Sequence, residues 1–200
     1  MQQDTFWQVV EASRDQVSDS LIDVDNIAEA MVDRLVTLSP AEIVEFHHVL
    51  DGLLRESYRR DLWAAAYLIN GGCSDDGFDY FRGWLIAQGH KVWQAALAEP
   101  DSLAAIVTVP FVEMFGAAEG ESVLGVASAA YEQVTGDYHG FWDAVSSVEV
   151  TRPDAHDSGP AGEDFDFDDD DQMRVRLPRL FALVAQASFD DVDDDDVEAE

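Results

Sequence analysis

Apolar residues recur every three or four positions through most of the chain up to about residue 134, the spacing that lines one face of an α-helix. Phe6, Val9, Val10 and Val17 follow Asp4 and Thr5 and predict a first helix over about 5–17. Asp25 is placed to cap a second helix over about 25–38, whose inner face carries Ile27, Met31, Leu35 and Leu38. Ser39-Pro40-Ala41-Glu42 gives the clearest local signal, with Ser as N-cap, Pro at the first helical position and Glu placed to reach back to the cap amide. A long third helix should follow with Ile43, Phe46, Leu50 and Leu53 or Leu54 inside, ending at Arg55, Arg59 and Arg60, which suit a helix C-terminus.

The run from Leu62 to Asn70 has almost no polar face, which predicts a buried helix stopped at Gly71-Gly72. Ser74 restarts the helix, Asp75 and Asp76 fall in its first turn, and Phe78, Phe81, Leu85 and Gln88 repeat until Gly89. Trp93, Ala96 and Leu97 mark another short helix, and residues 122–134 form the last clear one, closed by Gly136.

Beyond residue 150 the pattern changes. Residues 151–163, with two Pro and two Gly, read as a linker. Phe165-Asp-Phe-Asp168 and Met173-Arg-Val-Arg-Leu177 both alternate with period two, which predicts a β-hairpin with Phe165, Phe167, Met173, Val175 and Leu177 on one face. The Asp168–Asp171 run is expected to dock on Arg55, Arg59 and Arg60. A short helix begins at Pro178. The expected fold is mainly α: a helical bundle over 1–150, a linker over 151–163, a hairpin arm and short helix over 164–188 packed on the bundle, and a disordered acidic tail over 189–200.

Composition restricts the partners. The 200 residues include 42 Asp+Glu against 11 Lys+Arg, for a net charge of -31, while 47% are apolar, enough for a core. Residues 1–153 hold 25 acids and 8 bases, and residues 154–200 hold 17 acids and 3 bases, so body and tail are both acidic. Repulsion disfavours nucleic acid and anionic membranes as direct partners. A single cysteine, no basic-then-apolar leader and no apolar run of roughly 20 residues make a cytoplasmic location the expectation. The acidity suits a salt-tolerant surface, and it also suits a polyanionic mimic of nucleic acid.

The segment from Asp61 to Gly89, with its Tyr-Leu-Ile-Asn-Gly-Gly-Cys-Ser-Asp-Asp-Gly-Phe-Asp-Tyr-Phe-Arg-Gly-Trp-Leu-Ile core, resembles the signature of an uncharacterised bacterial family, domain of unknown function 4240. Phe6-Trp7, Leu38-Ser-Pro-Ala-Glu42, Phe165-Asp-Phe-Asp168 and Arg176-Leu-Pro-Arg-Leu180 are similar to the same family. The resemblance implies a mostly helical bacterial cytoplasmic domain and names no activity, substrate or partner.

Within that box Trp63, Tyr67, Asn70, Gly71, Gly72, Cys73, Asp75, Asp76, Asp79, Arg82 and Trp84 are the ligand-binding candidates. Asp75, Asp76 and Asp79 could offer oxygen ligands to Mg²⁺ or Ca²⁺, but their spacing lacks the EF-hand order, and capping is the plainer reading. Cys73 would need a neighbouring His to serve as a nucleophile, and a buried structural thiol is the plainer reading. Arg82 either forks onto Asp79 or Asp75 or holds an anion. The residues show no complete catalytic constellation and imply no cofactor. The expected function is therefore binding or regulation through an unidentified protein partner, with a small-ligand or enzyme pocket at the Gly71–Arg82 turn as the alternative. Oligomeric state is not legible.

Overall fold

A computed structural model describes residues 1–114, 116–148 and 159–193. The described residues fold into α1 (Gln3–Arg14), α2 (Val24–Leu35), α3 (Pro40–Glu56), α4 (Arg60–Asn70), α5 (Asp75–Ala87) and α6 (His90–Ala98). A 3₁₀ turn (Pro100–Ala105) and the short helices α7 (Val109–Val112) and α8 (Glu121–Leu124) lead into α9 (Val126–Thr135) and α10 (Tyr138–Ser147). The chain resumes with α11 (Asp170–Arg176) and α12 (Pro178–Asp193).

Local signals place the helix starts and stops. Ser39 Oγ accepts from the Glu42 amide at 3.4 Å while the Glu42 carboxylate accepts from the Ser39 amide at 2.9 Å, a complete capping box. Those Ser39 bonds hold the Glu42 carboxyl below its ordinary range. Gly71 ends α4 at φ 68°, where a side chain would be strained. Ser74 Oγ accepts from the Gly77 amide at 3.1 Å to start α5.

α2 lies between α1 and α9, α9 also packs on α3, and α5 packs on α8. Phe6, Met31, Leu35, Ile43, Phe46, Phe78, Phe81 and Trp84 are fully enclosed in one core. Gly83 and Gly120 bring two backbones into close approach: a Cβ on Gly83 would lie 2.3 Å from the Gly120 carbonyl oxygen. The two backbones are further joined by the Gly120 amide donating to the Tyr80 carbonyl at 2.9 Å.

The bundle matches the mainly α expectation, but the β-hairpin arm does not form. Among the described residues there is no strand, only one isolated parallel bridge between Arg59 and Ala161. Asp169 instead caps α11, its Oδ1 accepting from the amides of Asp171 and Gln172 at 3.0 and 3.1 Å. These bonds, led by the Gln172 side chain, hold its carboxyl below the ordinary range. Asp170 and Asp171 occupy the first turn and Arg174 and Arg176 the last, the arrangement that complements a helix dipole. Met173 and Leu177 are buried four residues apart, whereas Val175 between them is 81% exposed. The period-two reading of 173–177 was thus a helical i, i+4 pair in disguise.

The expected docking of Asp168–Asp171 on three arginines also takes another form. Arg60 pairs with Asp164 at 2.8 Å, Arg55 pairs with Asp51, and Arg59 donates to the Glu56 and Leu97 carbonyls. Asp168 accepts instead from the Tyr67 hydroxyl, and Asp171 pairs with Arg174 at 2.9 Å. Pro178 does begin a helix, and it continues through Asp193. Asp101, 3% exposed, anchors that helix by accepting from the Arg179 and Leu180 amides at 3.0 and 2.9 Å and from Arg179 Nε at 2.8 Å. Much of the expected linker and the last residues of the expected tail, 149–158 and 194–200, lie outside the described residues.

Candidate functional site

The box residues aim in several directions, and most of their polar atoms meet backbone. Trp84 Nε1 donates to the Leu21 carbonyl at 2.9 Å, and Gln88 reaches the Ser20 carbonyl at 3.2 Å, so α5 satisfies the loop joining α1 to α2. Asn70 bonds both groups of Ala118, donating at 3.3 Å and accepting at 3.1 Å, which pins the segment after α7 to the end of α4. Arg82, 8% exposed, donates to the Leu54 carbonyl at the end of α3 and pairs with Asp79. Its guanidinium also lies 4.9 Å from the Tyr58 ring centroid and 5.0 Å from that of Phe78.

Trp63 stacks on Phe78 at 4.8 Å and donates to the Cys73 carbonyl at 3.0 Å. Burial, and then the nearby Glu119 carboxylate, push the Cys73 thiol up to about 12, the opposite of what a nucleophile needs. Asp75 and Asp76 stay exposed in the first turn of α5, and Gly71 and Gly72 form the bend before it. Among the described residues no group of three or more His, Cys, Asp or Glu side chains is arranged to hold a metal ion. Tyr67 lies at the edge of the box against Phe167, with ring centroids 5.6 Å apart. The Asp168 carboxylate that accepts its hydroxyl raises the Tyr67 pKa.

A different surface offers room. Residues of α2, α9 and the turn before α9 line a groove of about 580 Å³. Ala28 and Val32 from α2 and Val126 and Ala129 from α9 form its floor, while Asp25, Glu29 and Asp33 stand along one wall. Four-residue spacing sets those three carboxylates roughly 6 Å apart along one helix face. No basic residue is among those lining the groove, and among the described residues none of the three carboxylates takes an ion pair or hydrogen bond. Ser122 Oγ, also at the groove, is a buried polar atom with no hydrogen-bond partner among the described residues. A second groove of about 500 Å³ runs between α1 and α2 past Val9, Arg34 and Leu38, and Asp33 borders both.

The residues that make this groove were missed in the sequence as a site. Asp25 reads there as a cap, yet α2 begins at Val24 and Asp25 falls in its first turn, facing the groove. The acidic recurrence at 25, 29 and 33 was visible; its pairing with α9, about a hundred residues away, was not.

The chain matches the family model described as "Protein of unknown function (DUF4240)" over residues 1–133. All the lining residues of the α2–α9 groove fall inside that span, and the segments after residue 133 lie outside it. No curated protein and no solved structure matches the chain.

Proposed function

The chain belongs to the DUF4240 family, proteins of unknown function, and we propose that it is a protein-interaction module that receives a cationic amphipathic helix in the groove between α2 and α9. The observation that carries this reading is the groove itself, an apolar floor beside a wall of three unpaired carboxylates at helical spacing. A partner helix with Lys or Arg every four residues would set its charges opposite Asp25, Glu29 and Asp33 and its apolar face over the half-buried Val32 and Ala129. The net charge of -31 adds long-range steering toward cations.

The test compares equal charge changes at two places. A fluorescent, Lys-rich amphipathic helical peptide is titrated against the wild type, against Glu29→Gln/Asp33→Asn, and against Asp4→Asn/Asp143→Asn, whose acids are exposed elsewhere. The groove pair should weaken binding by about tenfold while the control pair changes it little. Equal weakening by both pairs would mean diffuse attraction and would overturn the proposal.

A further inference from the structure

Residues 159–168 form a strap laid over the α3–α4 turn and the side of α4, bent at Pro160 and Gly162, without regular secondary structure over 163–166, and turning at Phe167–Asp168. At one end the Ala161 amide donates to the Tyr58 carbonyl at 3.0 Å and the Arg60 amide donates to the Ala161 carbonyl at 2.8 Å. The rest is held by two arginines that work alike. Arg60 pairs with Asp164 at 2.8 Å, donates to the Phe165 carbonyl at 2.9 Å, and sets its guanidinium 4.2 Å from the Phe167 ring centroid. Arg176, on α11, pairs with Glu163 at 2.9 Å and sets its guanidinium 4.1 Å from the Phe165 ring centroid. Each arginine therefore holds one carboxylate and one aromatic ring. Phe167 also meets Trp63 and Tyr67, with ring centroids 6.4 and 5.6 Å apart, and Tyr67 donates to Asp168 at the far end.

We propose that the face formed by Arg60, Trp63, Tyr67 and Arg176 is a recognition groove for peptides that alternate acidic and aromatic residues, and that the chain's own Glu163–Asp168 occupies it in cis. Three features of the strap support this. Its pairing with the α3–α4 turn is main chain to main chain at Ala161, which a peptide carrying the same Ala-Gly bend reproduces. Its side-chain contacts select carboxylate and ring together, and in a protein with 11 bases two of them converge here. Its hold is also shallow: Phe165 is buried, but Asp164 and Glu163 remain 88% and 77% exposed in their side chains, so those ion pairs are screened and contribute little to folding. A segment with so few buried contacts can lift while the bundle stays intact. α12, the second helix after the strap, keeps its own anchor at Asp101.

The test uses the full chain and a fluorescent peptide with the sequence of residues 161–169. Phe165→Ala/Phe167→Ala removes both rings of the strap and so weakens its hold on the groove. This variant should bind the peptide about tenfold or more tightly than the wild type, whose own strap competes at an effective concentration on the order of millimolar. Adding Arg60→Ala should abolish the gain. Should the double variant not fold, amide exchange of the wild type in excess peptide reports the same event. The Ala161 amide should lose protection while the Trp63 amide, bonded to Arg59 within the helix start, keeps it. Equal peptide binding by wild type and variant, a gain insensitive to Arg60, or unchanged Ala161 protection at saturating peptide overturns the proposal. A wild-type dimer that dissociates on Phe167→Ala would show the strap exchanged between two copies and overturn the cis assignment.

Discussion

The α4–α5 box and the α2–α9 groove use polar residues in opposite ways. In the box, Asn70, Arg82, Trp84 and Gln88 each reach a backbone group at an irregular joint: Ala118, Leu54, Leu21 and Ser20. Three joints, the α1–α2 loop, the end of α3 and the segment after α7, would otherwise bury unsatisfied backbone groups and are closed by side chains from two central helices. In the groove, Asp25, Glu29 and Asp33 meet no partner among the described residues, and Ser122 Oγ is left unbonded. The residues most conspicuous in the sequence hold the fold together, whereas those left free are plain acids on an ordinary amphipathic helix. A rich cluster of aromatic, amide and guanidinium groups is as good a sign of a demanding joint as of a ligand site.

The contrast predicts that glycine-to-alanine changes will differ in sign by region. At Gly120, beside the box, a Cβ would lie 2.5 Å from the Trp84 backbone nitrogen and 2.9 Å from the Gly83 carbonyl carbon, neither of which can rotate away. Gly120→Ala should lose about 3 kcal/mol or more, or fail to fold. Gly52, inside α3 with nothing within 4 Å of its added Cβ, should gain about 0.5–1 kcal/mol on the same change. Urea denaturation of both variants measures the split, and a mild loss at Gly120 would mean the α5–α8 joint is slack.

Cys73 probes the box chemically. With its thiol pushed up to about 12 from an ordinary 9.0, the thiolate fraction at pH 8 should be roughly a thousandfold below that of an unperturbed cysteine. Alkylation by iodoacetamide in the native state should be slower by a similar factor and recover in denaturant. The sign for stability follows. Between about 9 and about 12 the folded chain keeps a proton that the unfolded chain has released, so stability falls as pH rises through that window. Fast native alkylation at pH 8 would mean that the box opens.

These two regions also show what a single sequence discloses. Starts and stops were legible because their chemistry is local: the Ser39–Glu42 box, Gly71 after α4, Gly89 after α5 and Gly136 after α9 all stand where the residues placed them. The resemblance carried by Asp61–Gly89 was legible for the same reason. Contacts between distant positions were not. Asn70 with Ala118, Asp101 with Arg179, and α2 with α9 are separated by tens of residues or more, and no periodicity encodes which helix faces which.

Asp101 gives a medium-sized test of such a long-range contact. Asp101→Ala leaves the Arg179 and Leu180 amides and the Arg179 guanidinium without the carboxylate that they share. The loss should be about 2–3 kcal/mol, as expected for hydrogen bonds to a charged group. It should be local, with amide exchange rising through α12 while α2 and α9 keep their protection. Uniform loss of protection would instead show α12 to be integral to the bundle.

The smallest expected effect falls where the sequence misled. In a hairpin, Val175 would share an inner face with Met173 and Leu177, and a charge at any of the three would be costly. In the observed α11 the three positions separate, because a 100° step per residue turns Val175 outward while returning Leu177 to the side of Met173. Val175→Asp should therefore change stability by no more than about 0.5 kcal/mol, the usual range for an exposed site. Met173→Asp, at 1% exposure, should lose several times that, since it places a carboxylate in the core without a partner. Denaturation midpoints of the two variants decide the matter: comparable losses would restore a strand with one shared face, and a wide gap is compatible only with the helix.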